Sequence, residues 1–172
     1  MKINLFGLIS FVILGSLTFC TGNTPHAKAK LINANGVSVG EAVFLQTKEG
    51  VKISVQVSGL TPGKHGIHFH EVGQCEKPDF KSSGGHFNPA HKKHGLQNPE
   101  GAHGGDLPNL EVNLDGTAKT TFVAKNVSLQ EGENSLFHVG GTSLIIHAGE
   151  DDEKTDPSGS SGARLVCGEI VK

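Results

Sequence analysis

The chain has 172 residues, 24 of them glycine and none tryptophan or tyrosine, with 15 Lys and Arg against 17 Asp and Glu. That length allows one domain with a sizeable core and no obvious second one. The near-neutral charge, without a basic patch, excludes nucleic acid as a partner, and no internal repeat or coiled-coil pattern is present.

Residues 1–29 read as an export leader, with residues 30–172 forming the domain. Lys2 supplies a basic start, and an almost unbroken apolar run goes from Leu5 to Leu14 and on to Phe19. The run is too short for a membrane span and stands where a signal peptide belongs. Two processing sites compete. Leu17-Thr18-Phe19-Cys20 resembles a bacterial lipoprotein cleavage site, which would place a lipid anchor on Cys20, although Phe19 is bulkier than the usual residue. The alternative is a cut after Ala27-Lys28-Ala29. Either way the protein is expected outside the cytoplasm: periplasmic, extracellular or tethered to a membrane by lipid. Once Cys20 is removed or lipidated, only Cys75 and Cys167 remain. An oxidising compartment joins them in one disulfide, the alternative being two buried free thiols.

From there strand signals dominate. The expected strands are 30–33, 37–48, 51–58, 63–71, 109–113, 117–124, 143–147 and 163–171. Val51, Ile53, Val55 and Val57 alternate with Lys52, Ser54, Gln56 and Ser58, and Leu110, Val112 and Leu114 alternate with Glu111 and Asn113, so each strand has one buried face. Asn35-Gly36, Glu49-Gly50 and Asp115-Gly116 mark turns. No segment carries capped helical periodicity. The fold class is therefore all-β, a sandwich or barrel.

The fourth strand contains Ile67-His68-Phe69-His70. Alternation turns both imidazoles to one side and Ile67 and Phe69 to the core. Alone, such a pair is most simply two polar residues on an exposed strand. The loop that follows changes that reading, because it adds His86, His94, His103 and Asp106 in a long Gly-, Pro- and Asn-rich segment that a bound ion could order. Three His and one Asp satisfy a closed, structural zinc site. The His68/His70 pair is then short of ligands for a second, redox metal. Imidazole suits copper, and His147 follows the apolar run Leu144-Ile145-Ile146. His26, His65, His91 and His138 match neither set and are expected at the surface. Between the last two strands lies the acidic, Gly- and Ser-rich run from Ala148 to Gly162, most simply a solvated loop.

Taken together, His68-Phe69-His70, Gly85-His86-Phe87-Asn88-Pro89, His94-Gly95, His103-Gly104-Gly105-Asp106-Leu107, Ile146-His147 and Gly162-Ala163-Arg164-Leu165-Val166-Cys167-Gly168 resemble the copper/zinc superoxide dismutases of the bacterial, exported type. The resemblance runs from about Lys30 to Val171. It implies an eight-stranded Greek-key β-barrel, a flattened sandwich, with long metal-binding and electrostatic loops. It implies copper on His68, His70, His86 and His147, and zinc on His86, His94, His103 and Asp106, with His86 bridging both. The Cys75–Cys167 bond would tie the loop after the copper strand to the last strand. Asp151 would link His70 to His94, and Arg164 would dock superoxide beside copper. By the same resemblance, one superoxide gives its electron to copper and leaves as dioxygen. A second takes the electron back and leaves as hydrogen peroxide, with His86 supplying one of two protons. Dimer contacts differ between branches of that family, so no oligomeric state is implied. Two other readings remain: a non-catalytic copper/zinc-binding envelope protein on the same fold, expected to lack a copper ligand or Arg164, and a zinc hydrolase, which would need an open zinc position.

Overall fold

The computed structural model describes residues 26–172; the apolar run from Leu5 to Phe19 and Cys20, on which the export reading rests, lie outside them. Nine strands follow in order: β1 (His26–Asn33), β2 (Ser38–Thr47), β3 (Gly50–Val57), β4 (Gly63–His65), β5 (Ile67–His70), β6 (Leu110–Val112), β7 (Ala118–Ala124), β8 (Ser143–His147) and β9 (Arg164–Glu169). The helical content of these residues is one short 3-10 turn, Lys81–Ser83.

The strands form an antiparallel sheet in the order β5-β8-β9-β1-β2-β3-β7, with β4 and β6 as a separate pair. Because β4 runs into β5, and β6 runs into β7 through the turn in which Asn113 N–H donates to Thr117 O, the sheet curls back on itself. β7 lies beside β3 although β4, β5 and β6 intervene in sequence, which is the Greek-key crossing. β1 lies between β2 and β9; its register on β2 shifts between Leu31 and Ile32, where its other edge takes up Cys167 and Val166 of β9.

Alternation fills the interior. Ala27, Ala29 and Leu31 of β1, Ala42 and Phe44 of β2, and Val51, Ile53, Val55 and Val57 of β3 all point inward and are at most 2 % exposed. Phe44 and Phe69 meet in the centre with ring centroids 6.0 Å apart. At about 25 cal/mol per Å², each such large side chain contributes roughly 1.5–3 kcal/mol relative to an exposed position.

Two expectations are corrected. The strand expected at 63–71 is broken at Gly66, so the described residues form nine strands where eight were expected. Gly66 N–H donates to Gly149 O and Gly66 O accepts from His147 N–H, while a Cβ would press on Ser161 and His68. The first strand already includes His26, the first described residue, where a start at Lys30 was expected, and its Ala27 and Ala29 pair with Phe44 and Ala42. Small alanines carry weak strand propensity, which hid those residues.

Candidate metal centre

The site is assembled where the long loop returns twice to β5. Phe87 N–H donates to Phe69 O, Gly105 N–H donates to Phe87 O, and Phe69 N–H donates to Gly105 O. These bonds set His86 opposite His70 and Asp106 opposite His68. Gly105 has to be glycine, since a Cβ would run into the Phe69 carbonyl. β8 pairs with β5 on its other side, and His147 stands at the end of β8, its N–H on Gly66 O and its ring 5.0 Å from that of His68. The expected alternation holds, with Ile67 and Phe69 in the core. The imidazole face is covered as well, because the loops close over it, and His68 and His70 are at most 1 % exposed.

Two groups of side chains result. In each, the candidate ligand atoms lie within 4.8 Å of one another: His68, His70, His86 and His147, and His86, His94, His103 and Asp106. In the first group three rings have one nitrogen committed. His70 Nδ1 faces Gly84 O at 3.0 Å, His147 Nδ1 faces Gly162 O at 3.1 Å, and His68 Nε2 faces Asp151 Oδ2 at 2.6 Å. A carbonyl or carboxylate oxygen can only accept, so the proton sits on that nitrogen and the opposite nitrogen carries a lone pair. Those opposite atoms, His68 Nδ1, His70 Nε2 and His147 Nε2, together with His86 Nε2, are buried with no hydrogen-bond partner. Four orphaned acceptors in one place are what a cation with imidazole preference satisfies.

Burial reinforces this. It lowers His70 well below the ordinary histidine value, His86 to about 4 and His147 to about 3, against the pull of neighbouring acceptors, so these rings are neutral ligands near pH 7.

The second group converges on Asp106. Its Oδ1 lies 3.0 Å from His86 Nδ1, 3.0 Å from His94 Nδ1 and 3.3 Å from His103 Nδ1, while Oδ2 accepts from Gly95 N–H and His103 N–H. Burial alone would raise the Asp106 pKa, but the three imidazoles and the backbone donors hold it far below the carboxylate range. His86 thus turns Nε2 to the first group and Nδ1 to the second.

Asp151 joins the groups, and here an expectation is corrected. Its Oδ1 meets His94 Nε2 at 3.0 Å as expected, but Oδ2 meets His68, not His70. β5 and β8 are antiparallel, so the residues after His147 emerge at the His68 end of β5, while His70 points to Gly84. Opposed by burial, Asp106 and Asp151 together raise His94 to about 9.

Arg164 opens β9. Its Nη1 donates to Phe80 O at 2.8 Å and Ser83 Oγ at 2.9 Å, and its Nη2 donates to Gly84 O at 2.7 Å, the same carbonyl that receives His70. Cys75 and Cys167 form the expected disulfide, with Cα atoms 5.7 Å apart.

Of the four histidines expected at the surface, His26 and His91 are exposed. His65 is buried at 1 % exposure between the carbonyls of His147 and Thr61, and His138 stacks half-buried on Phe87. His65, Ser83 and the carbonyls of Gly84 and Gly162 were not anticipated as parts of the site. Carbonyl acceptors leave no trace in sequence, and His65 differs from a surface histidine only through its fold.

Comparison with known proteins closes the question of kinship. The family model described as copper/zinc superoxide dismutase (SODC) matches residues 38–170. "Superoxide dismutase [Cu-Zn] 2" of Aquifex aeolicus is 45 % identical over 167 residues, covering 94 % of this chain and 98 % of that protein. The crystal structure of a SOD-like protein from Bacillus subtilis superposes with a TM-score of 0.81 at 41 % identity, over 84 % of this chain and 97 % of that one. The Cu/Zn superoxide dismutase from Brucella abortus gives 0.70 at 33 % identity, over 85 % and 99 %. Matched by that family model over residues 38–170 and by these relatives over most of their length, the chain belongs to the copper/zinc superoxide dismutase family.

Proposed function

We propose that this chain dismutates superoxide with copper held by His68, His70, His86 and His147 and zinc held by His86, His94, His103 and Asp106. The observation that carries the reading is the set of four orphaned, buried nitrogens in the first group, combined with the two-sided placement of His86. Copper there supplies a one-electron couple, which zinc lacks.

The residues themselves do the rest. Two superoxide anions and two protons leave as dioxygen and hydrogen peroxide, so the site must bind an anion and deliver protons. Arg164, always cationic and forked, binds the anion at the edge of the first group. His86, with Nδ1 turned to the second group, would hold and give up a proton at Nε2 when that nitrogen is released from the first group. Asp151 fixes the orientation of the His68 ring, and Gly84 and Gly162 do the same for His70 and His147. The test is elemental analysis and superoxide consumption on one purified sample. Copper and zinc with activity are expected; both metals without activity would point to a storage protein instead.

Export is proposed for the same chain, since the Cys75–Cys167 bond suits an oxidising compartment. Of the two processing sites, a cut after Ala29 would remove Ala27 and Ala29 from the core and the Lys28 pairing with Val171. Cleavage before Cys20, leaving a lipid anchor on it, keeps β1 whole. Mass spectrometry of the processed N-terminus distinguishes the two.

A further inference from the structure

His94 is fixed at three atoms. Its Nε2 meets Asp151, its Nδ1 meets Asp106, and its backbone N–H donates to Asp156 Oδ1 at 2.7 Å. The next N–H, that of Gly95, ends on Asp106 Oδ2 at 2.9 Å. Successive backbone donors are therefore captured by different carboxylates, one from the zinc loop itself and one from the acidic loop that follows His147.

The surrounding residues close the same seam. Gln97 N–H donates to Glu153 O at 3.0 Å, Gln97 Nε2 to Glu153 Oε2 at 2.9 Å, and Asn98 Nδ2 to Lys154 O at 3.3 Å. Gly95, at φ 110°, lies so close to the Glu153 carbonyl that a Cβ would collide with it. Asp156 completes the seam, its Oδ2 accepting from Lys93 Nζ at 3.2 Å.

The two bonds of Asp156 are not equivalent. Lys93 and Asp156 are about half exposed, 55 % and 42 % at the side chain, so their ion pair contributes little. The bond to the His94 N–H is short, charge-assisted and part-buried, and it fixes the backbone from which the His94 ring projects. We infer that Asp156 is a positioning residue for zinc, holding His94 by its main chain so that metal retention at the second group depends on the acidic loop. The inference rests on the zinc assignment above.

The test uses the full chain loaded with copper and with Co(II) in place of zinc, following Co(II) release to excess chelator by its d–d absorption. The copper band and far-UV circular dichroism are recorded in parallel. Asp156→Ala is expected to release Co(II) about 10–100-fold faster than the parent, the range usual for lost outer supports of a metal ligand. Asp156→Asn keeps an acceptor oxygen and is expected within about threefold of the parent. Lys93→Ala is expected to behave as the parent does. Should Asp156→Ala fold poorly, Asp156→Val, which also lacks an acceptor, is read in its place. Parent-like release from the Ala or Val variant overturns the inference, and so does a Lys93→Ala variant that reproduces the full loss. A parent chain that takes up no Co(II) would sink the zinc assignment and this inference together; normal loading of the parent beside an unchanged Asp156→Ala sinks this inference alone.

Discussion

His147 has one nitrogen spent on Gly162 O and the other orphaned in the first group, with no part in the second. Replacing it by alanine should therefore abolish copper uptake and superoxide consumption while most zinc stays bound, which metal analysis of the purified variant checks. Arg164 calls for a graded series, because its three bonds to Phe80, Ser83 and Gly84 also tie the loop to the barrel. Electrostatic steering, for which this enzyme family is a standing example, predicts that kcat/KM falls from Arg164→Lys to Arg164→Ala to Arg164→Glu, by about tenfold or more at Ala. It also predicts a flatter salt dependence once the positive charge is gone. Equal activities in fully metallated variants would leave Arg164 with only the tie. At this scale the sequence was legible where chemistry is carried by residue type: His68, His70, His86, His94, His103 and Asp106, gathered in one stretch, announced a metal centre. The partner of Asp151 was not legible, because it depends on the direction in which β8 passes β5.

Alternation exposed most strands, since a half-buried strand writes its period into the sequence. Breaks and ends were harder. Nothing in Lys64-His65-Gly66-Ile67 shows that β4 pairs with β6 while β5 pairs with β8, because the change of partner is imposed by Gly149 and His147 arriving at Gly66. The disulfide belongs to this level too. It binds the segment before the 3-10 turn to β9, the strand that Arg164 opens, across a sequence separation of 92. Replacing both cysteines by serine should lower the free energy of unfolding by about 2–5 kcal/mol. Activity should fall as the loop carrying Phe80, Ser83 and Gly84 loosens around Arg164. Urea unfolding at fixed metal content measures the first effect, and superoxide consumption on the same samples the second.

For the molecule as a whole, the buried histidines set a pH limit on the metal-free chain. His70, His86 and His147 are depressed below 6.5 by burial, so below that pH the unfolded chain binds protons that the folded one refuses. Stability is then lost as pH falls from 6.5 toward about 4 for His86 and about 3 for His147, at up to about 1.4 kcal/mol per pH unit for each group. His94, raised to about 9, has the opposite sign: its contribution is complete below 6.5 and fades only as pH rises through 9, so it does not compensate on the acid side. Urea midpoints in chelator should drop between pH 7 and pH 5, and a flat profile would contradict neutral burial of the three rings. The carboxylate of Asp151 has a larger consequence. With one oxygen on His68 and the other on His94, it gives the two metal positions a second connection besides His86. With copper at His68 and zinc at His94, whatever orders Asp151 from one side would order it for the other, and such coupling is reciprocal: the factor zinc lends to copper capture, copper would lend to zinc capture, commonly about 5–150-fold. The chain would then hold its two metals as a pair, each capture favouring the other.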